Sequence, residues 1–136
     1  MKKQIAIVGL GLIGGSLAMA LRGFEDYEIV GVDRDGATLD FARAHAAADR
    51  VTEDAGAAIR TADVVVLCLH PRGIVDFLSA HRDHFKAGAL VTDVCGIKTA
   101  ILEAARVLPP EVDFIGCHPM AGKETSGIFH ANPALF

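Results

Sequence analysis

Three glycines near the start of the chain, Gly9, Gly11 and Gly14, form the pattern G-x-G-x-x-G directly after a short apolar segment. The first glycine permits a tight strand-to-helix turn, the second lets the backbone approach a pyrophosphate, and the third allows close packing of helix on strand. Free N–H groups at the helix start then face the phosphates. The pattern predicts a dinucleotide site formed by these glycines together with Leu12 and Ile13.

An acidic residue follows at the spacing that dinucleotide binding requires. Asp33 ends the second apolar segment, where a carboxylate accepts hydrogen bonds from the adenosine ribose. Such a carboxylate repels a 2′-phosphate and so favours NAD, whereas the adjacent Arg34 could pair with that phosphate and admit NADP. Arg34 is explained equally well as a solvated loop residue. FAD binding, or a glycine turn without a ligand, are the alternatives for the motif.

Further polar residues follow three later apolar segments, in "CLHP" (68–71), "DVCGIK" (93–98) and "CHPMAG" (117–122). His118 comes directly after a strand-like segment, and Pro119 stiffens the chain behind it. An imidazole in such a place can accept a proton as a hydride departs. The residues alone leave open whether His118 is a catalytic base or a capping or core histidine.

His70 and Pro71 are predicted to lie near the nicotinamide half of the cofactor, although the proline also explains the segment as an extended turn. Cysteines and histidines elsewhere carry weaker signals. The three cysteines are dispersed without a C-x-x-C pair, which indicates a reduced, cytoplasmic chain and small buried thiols rather than a metal or nucleophile site. His81 and His84 are interpreted as surface residues. No metal site is predicted.

The segments that must position these residues alternate between apolar strands and helices. Strands are predicted at 4–9, 28–33, 49–54, 63–70, 89–94 and 113–118, and helices at 13–22, 36–47, 55–62, 73–85 and 98–108. Such alternation indicates a mainly parallel sheet with helices on both faces, a doubly wound α/β fold. The whole of 1–136 reads as one dinucleotide-binding domain. The segment 128–136 has no clear place in that fold, and we expect the chain to be a fragment of something longer.

Composition limits the partners. Hydrophobic residues make up 51% of the 136 residues, and the net charge is −4 with no basic stripe. This balance argues against a nucleic-acid partner. No apolar run reaches the roughly 20 residues of a membrane span.

Taken together, "IAIVGLGLIGGSLAMAL", "TDVCGIK" and "GCHPMAGKETSG" resemble the prephenate/arogenate dehydrogenases of tyrosine biosynthesis. The pattern H-P-M-A-G-x-E-x-S-G is the most specific part. The resemblance implies a Rossmann-type NAD(P)-binding domain and an oxidative decarboxylation of prephenate or arogenate. It assigns the family's catalytic histidine to His118, which would hydrogen-bond the ring hydroxyl and accept its proton. It also implies a gating role for Glu124 and a substrate-side contact for Lys123, although both are explained equally well as solvated loop charges.

Two departures from the family accompany the resemblance. Many members have Gly-Ser where this chain has Cys95 and Gly96, so a hydroxyl that contacts substrate and histidine is absent next to the substrate site. The family also has a helical domain that forms a homodimer and provides an arginine for the substrate carboxylate. Nothing in the 136 residues corresponds to it, so the chain alone is expected to catalyse poorly. A β-hydroxyacid type dehydrogenase and a non-catalytic nucleotide sensor are the alternative functions.

Overall fold

A computed structural model describes residues 2–120 and 125–136 of the chain. Lys123 and Glu124 lie outside these described residues. The six strands are β1 Lys3–Val8, β2 Tyr27–Val32, β3 Arg50–Thr52, β4 Val64–Leu67, β5 Leu90–Asp93 and β6 Asp113–Gly116. They form one sheet in the order β3-β2-β1-β4-β5-β6, and each pairing is parallel. β3 lies at one edge of the sheet, and the next strand in the chain, β4, lies on the other side of β1. The strand order therefore reverses at this point, and the ends of β1 and β4 border the resulting crevice.

Alternate residues of the strands enter two apolar layers, one on each face of the sheet. In β1, Ile5 and Ile7 point into one layer, and Ala6 and Val8 point into the other. Both layers are buried, which explains why the strand sequences are apolar throughout rather than alternating. The predicted doubly wound α/β fold is therefore confirmed, with an entirely parallel sheet.

Five helices cover the sheet. They are α1 Leu12–Leu21, α2 Gly36–Ala44, α3 Ala55–Thr61, α4 Pro71–His81 and α5 Thr99–Ala104, the last continued by a 3₁₀ turn at Ala105–Val107. Asp35 and Asp54 cap α2 and α3, since each carboxylate accepts a backbone N–H of the first helical turn. Residues of α1 and α2 pack in one apolar layer, and residues of α3, α4 and α5 pack in the other.

The largest difference from the predicted elements concerns α4. The sequence predicts a helix over 73–85, whereas the helix begins at Pro71 and ends at His81. Proline is favoured at the first helical position because its missing N–H would have no partner there. His70 is thus the residue that precedes the helix, with extended backbone, and Pro71 starts the helix instead of shaping a loop.

The segment after Gly127 has a definite place, contrary to the expectation from sequence. It forms 3₁₀ turns at Ile128–His130 and Pro133–Leu135 that pack against α1. Ile128 is buried and lies over Gly15, where an ideal Cβ would come within 2.9 Å of it. The buried Ser16 hydroxyl accepts the N–H of Asn132 at 2.8 Å. The small residues Gly15 and Ser16 of α1 therefore form the surface on which this segment packs.

Within residues 2–120 and 125–136, no helix combines the length and apolar character needed to cross a membrane.

Candidate functional site

A cleft of about 600 Å³ opens at the carboxyl ends of β1 to β4. Its lining residues come from the glycine turn, from the ends of β2 and β4, and from α3 and α4: Val8, Gly9, Val32, Asp33, Arg34, Glu53, Asp54, Ala55, Gly56, Leu69, Gly73, Asp76, Phe77, Ala80 and His81. In open parallel sheets, ligands bind at this edge, beside the point where the strand order reverses. The cleft is large enough for part of a dinucleotide.

The turn between β1 and α1 requires its glycines for different reasons. Gly9 has φ of 93°, a backbone conformation that residues with a Cβ rarely adopt. An ideal Cβ on Gly14 would overlap the carbonyl oxygen of Gly9, so the helix can approach the turn only without a side chain. A Cβ on Gly11 would meet no protein atom within 4 Å. The turn is therefore tightly packed at Gly9 and Gly14 and has open space at Gly11.

The N-terminus of α1 faces this opening without a cap. The preceding residue, Gly11, provides no side-chain hydrogen bond, and the first turn of α1 contains no acidic residue. The first N–H groups of an α-helix have no partner inside the helix, and the helix dipole adds partial positive charge there. Leu12 and Ile13 lie in this first turn. The arrangement suits an anionic group such as a pyrophosphate.

Asp33 lies at the rim of the cleft, where the sequence places it. One carboxylate oxygen accepts the N–H of Leu10 at 2.8 Å, and the other accepts the N–H of Asp35 at 2.9 Å. These bonds fix the carboxylate against the glycine turn. An ionised carboxylate has about four lone-pair sites, so acceptor capacity remains for two hydroxyl groups. The neighbouring Arg34 is exposed and also lines the cleft.

His81 and His84 differ from the surface interpretation. Both are half-buried, and their Nδ1 atoms are 3.0 Å apart, so one nitrogen donates and the other accepts. Burial is the main cause that lowers the pKa of His81, with further lowering by His84 and Arg60 and an opposing effect of Asp54. His81 lines the cleft, and its ring is held there by the contact with His84.

His118 lies directly beyond β6, and its imidazole rests on Gly96 in the loop between β5 and α5. An ideal Cβ on Gly96 would be 3.1 Å from Cε1 and 3.3 Å from Nε2 of the ring. The cleft and His118 are linked through that loop, because the Cys95 thiol donates to the carbonyl of Leu69 at 3.2 Å, and Leu69 lines the cleft. The structure thus places His118 near the cleft, exposed to solvent.

A buried ion pair that the sequence analysis missed supports the loop after β6. Asp93 ends β5 with no exposed side-chain surface, and its carboxylate contacts Lys98 Nζ at 2.7 and 2.6 Å. Lys98 Nζ also donates to the carbonyl of Cys117, whose N–H donates to Asp93 at 3.3 Å. The residue before His118 is therefore held through both of its backbone polar groups. An aspartate that ends an apolar strand, with a lysine five residues later, was the available signal.

The three cysteines do not share one environment. Burial raises the pKa of the Cys68 thiol to about 12, with smaller contributions from Cys95 and Asp93. Burial likewise raises the pKa of Cys95. Both thiols therefore remain protonated at neutral pH. Each residue is half-buried rather than buried, so the predicted burial is only partial. Cys117 is exposed, so the prediction of a buried thiol is wrong there, because β6 is an edge strand with little cover.

A second hollow of about 480 Å³ adjoins His118 on the α1 side of the sheet. Its lining is mostly apolar and consists of Leu17, Leu21, Val66, Thr92, Asp93, Val94, Cys117, His118, Pro119 and Phe136. None of these described residues is a lysine or arginine. Its described lining therefore offers no lysine or arginine side chain for a substrate carboxylate.

The remaining predicted residues occupy less defined positions. His70 is exposed and precedes α4, beyond the carboxyl end of β4, and Pro71 begins that helix. They share the sheet edge with the glycine turn but are not among the residues that line the cleft. Among the residues that the structure describes, no three His, Cys, Asp or Glu side chains are grouped so that they could hold a metal ion.

Comparison with known proteins places this geometry in a family. Residues 17–136 match the model of the prephenate dehydrogenase nucleotide-binding domain. The cyclohexadienyl dehydrogenase of Zymomonas mobilis is 33% identical over 126 residues, which are 92% of this chain and 43% of that protein.

Solved structures agree with this match. Synechocystis arogenate dehydrogenase superposes with a TM-score of 0.88 at 37% identity, over 98% of this chain and 46% of that one. Prephenate dehydrogenase from Aquifex aeolicus, in complex with hydroxyphenyl propionate and NAD+, has a TM-score of 0.86 at 28% identity, over 100% of this chain and 48% of that one. The chain thus spans less than half the length of these relatives. It belongs to the prephenate dehydrogenase family and corresponds to that family's nucleotide-binding domain.

Proposed function

We propose that the protein carrying this chain is an NAD-dependent dehydrogenase that oxidises and decarboxylates prephenate or arogenate in tyrosine biosynthesis. Family membership and the cyclohexadienol-oxidising relatives support the substrate class. The single observation that carries the proposal is the position of His118. The ion pair of Asp93 and Lys98 holds its neighbour, Cys117, at the sheet edge that the glycine turn also occupies.

The cleft, together with the glycine turn and the start of α4 at the same sheet edge, fits a dinucleotide. Those proposed to contact NAD are Gly9, Gly11, Leu12, Ile13 and Gly14 at the pyrophosphate, Asp33 and Arg34 at the adenosine ribose, and His70 and Pro71 toward the nicotinamide. The open space at Gly11 and the uncapped start of α1 support the pyrophosphate position. When bound, NAD supplies the hydride acceptor.

Charge around the cleft supports NAD over NADP. Four carboxylates, those of Asp33, Glu53, Asp54 and Asp76, line it, and Arg34 is the one arginine or lysine among the described lining residues. A 2′-phosphate would add about two negative charges beside Asp33, and like charges at such short separations repel. The ribose hydroxyls, by contrast, are good donors to an ionised carboxylate.

His118 is proposed as the base. A neutral imidazole has one nitrogen free to accept a proton, and His118 would take it from the ring hydroxyl of the substrate as the carbonyl forms and the hydride leaves the same carbon. The bond to the ring carboxylate then breaks, and its electron pair enters the ring as carbon dioxide departs and the ring becomes aromatic. The chain's own residues therefore serve mainly to place His118 close to the carbon from which the hydride leaves.

The substrate carboxylates need cations that the described part of the site does not provide. The hollow beside His118 contains no lysine or arginine among its described lining residues. We propose that Lys123 contacts the substrate and that Glu124 gates the site, and we assign Gly96 to the substrate side as well. The family resemblance further suggests that an arginine comes from a helical domain of the whole protein, through which two copies form a homodimer.

The test measures reduction of the nicotinamide by the full-length protein, supplied with prephenate or arogenate and with NAD or NADP. We expect turnover with at least one substrate and a preference for NAD. The His118→Asn variant should lose about 10²- to 10⁴-fold in turnover while NAD affinity is unchanged. Failure of all four combinations of substrate and cofactor, or full turnover by His118→Asn, would overturn the proposal.

A further inference from the structure

The imidazole of His118 packs against Gly96, and this contact limits which residues position 96 can hold while the proposed base keeps its place. The imidazole occupies the space that a side chain at position 96 would fill, since an ideal Cβ there lies 3.1 Å from Cε1, 3.3 Å from Nε2 and 3.6 Å from Nδ1. Separations near 3.1 Å are shorter than ordinary carbon–carbon contacts of about 3.5–4.0 Å. A residue with a Cβ at this position would therefore require the ring to move.

The backbone conformation gives no other reason for a glycine at position 96. The glycines with positive φ are Gly9, Gly23, Gly88 and Gly127 among the residues that the structure describes, and Gly96 has an ordinary φ. An alanine or serine could adopt that backbone without strain. The feature that explains a glycine at position 96 is the imidazole of His118, which occupies the space of a Cβ.

Of the two groups in contact, the imidazole is the one that would give way. The backbone beside Gly96 is fixed, because the N–H of Cys95 donates to buried Asp93 at 3.0 Å and the Cys95 thiol donates to Leu69. The side chain of His118 is exposed and can rotate into solvent. With its thiol turned toward the Leu69 carbonyl, Cys95 also does not replace the serine hydroxyl that many family members have at position 96.

We propose that Gly96 is a positioning residue for His118, and that the serine typical of the family would displace the base in this chain. The proposal rests on the proposed function of His118. Here the imidazole is oriented by packing on a bare peptide rather than by a hydroxyl. Restoring the family residue should therefore lower activity instead of raising it.

The experiment compares Gly96→Ala and Gly96→Ser with a matched control, Gly36→Ala, in the full-length protein. A Cβ on Gly36, at the first position of α2, meets no atom within 4 Å. A Cβ at position 96 requires the ring to shift by a few tenths of an ångström, whereas a displacement of about 1 Å can cost about 10²-fold in rate. We therefore expect both Gly96 variants to lose about three- to tenfold in kcat, with KM for NAD and Tm unchanged. The control should retain the parent kcat.

A spectroscopic measurement tests the geometry without activity. In the 136-residue chain, the Cε1 proton of His118 should give a nuclear Overhauser effect to the α-protons of Gly96, and Gly96→Ser should weaken the effect between that ring proton and the backbone of residue 96. An effect of unchanged strength in Gly96→Ser, or a Gly96→Ser enzyme with parent or higher kcat, would overturn the inference.

The two proposals fail in different ways. If His118→Asn loses turnover and Gly96→Ser does not, the base assignment stands and the positioning role of Gly96 is wrong. If His118→Asn keeps full turnover, the base assignment fails, and the role of Gly96 fails with it.

Discussion

The glycine turn and the loop that carries His118 lie at the same sheet edge but are held in opposite ways. Gly9 and Gly14 are buried, and their close approach leaves no room for a Cβ. His118 is exposed, rests on Gly96, and is tied to the fold chiefly through Cys117. The glycine turn is thus built from core backbone, whereas the position of His118, the proposed base, depends on a few side chains.

This difference has a functional meaning. Changes at the turn must disturb the core, because the packing of α1 on β1 and the approach of the cofactor depend on the same atoms. Changes around His118 can alter its orientation while the fold remains intact. Substitutions around His118 can therefore change substrate specificity and turnover without disturbing the glycine turn.

Among the side-chain contacts, the largest effect on stability should come from breaking the ion pair beneath the His118 loop. Lys98→Met leaves the buried carboxylate of Asp93 without its cation, with only the N–H groups of Cys95 and Cys117 as donors. Removing one member of a buried pair costs about 3–5 kcal/mol, and these remaining donors place the expected loss toward the lower end. Denaturant unfolding of the 136-residue chain measures this loss. Asp93→Asn combined with Lys98→Met should recover part of it, because no charge then remains buried.

The matched control for that prediction is an exposed pair. Arg72 and Asp76 lie 3.6 Å apart with side chains 89% and 67% exposed, so Arg72→Met should cost less than about 1 kcal/mol. Equal losses in Lys98→Met and Arg72→Met would mean that the buried pair does not support the loop.

A smaller effect is expected for Asp33, the proposed contact of the adenosine ribose. Asp33→Asn removes the charge that favours the ribose hydroxyls, and a hydrogen bond to a charged group contributes about 1.5–3 kcal/mol, so NAD binding should weaken about tenfold or more. NADP binding should weaken less, which lowers the preference for NAD. Glu53→Gln is the control, since it removes a cleft carboxylate that is not at the end of β2. Titration calorimetry with both cofactors measures the ratio, and equal effects of the two variants would contradict a specific ribose contact.

The smallest effect concerns pH. The lowered pKa of His81 means that the unfolded chain binds a proton more readily than the folded one as pH falls through the ordinary histidine range. This contribution is favourable above the ordinary pKa and is lost as pH falls toward the lowered folded value. His81→Gln should therefore show a smaller fall in Tm between pH 7.5 and 5.5 than the parent. An identical fall would show that the histidine pair does not contribute.

Periodicity and glycine spacing were enough to predict the sheet, the glycine turn and the place of Asp33, because these depend on local sequence. The contacts of Ile128 with Gly15 and of Lys98 with Cys117 join residues far apart in the chain, and no local pattern encodes them. The start of α4 differs from the prediction because a proline can be either a turn residue or the first residue of a helix. The packing of His118 on Gly96 depends on the tertiary structure and has no counterpart in the local sequence.

NAD binding to the 136-residue chain tests most directly whether the glycine turn and the His118 loop are held independently. The measurement compares the parent with His118→Asn and Gly14→Ala, and circular dichroism establishes whether each form is folded. We predict that His118→Asn binds NAD within about twofold of the parent, because His118 takes no part in forming the turn. Gly14→Ala should lose binding by 100-fold or more, or fail to fold, because its Cβ overlaps the Gly9 carbonyl. Equal weakening in the two variants, or parent-like binding by Gly14→Ala, would contradict the separation.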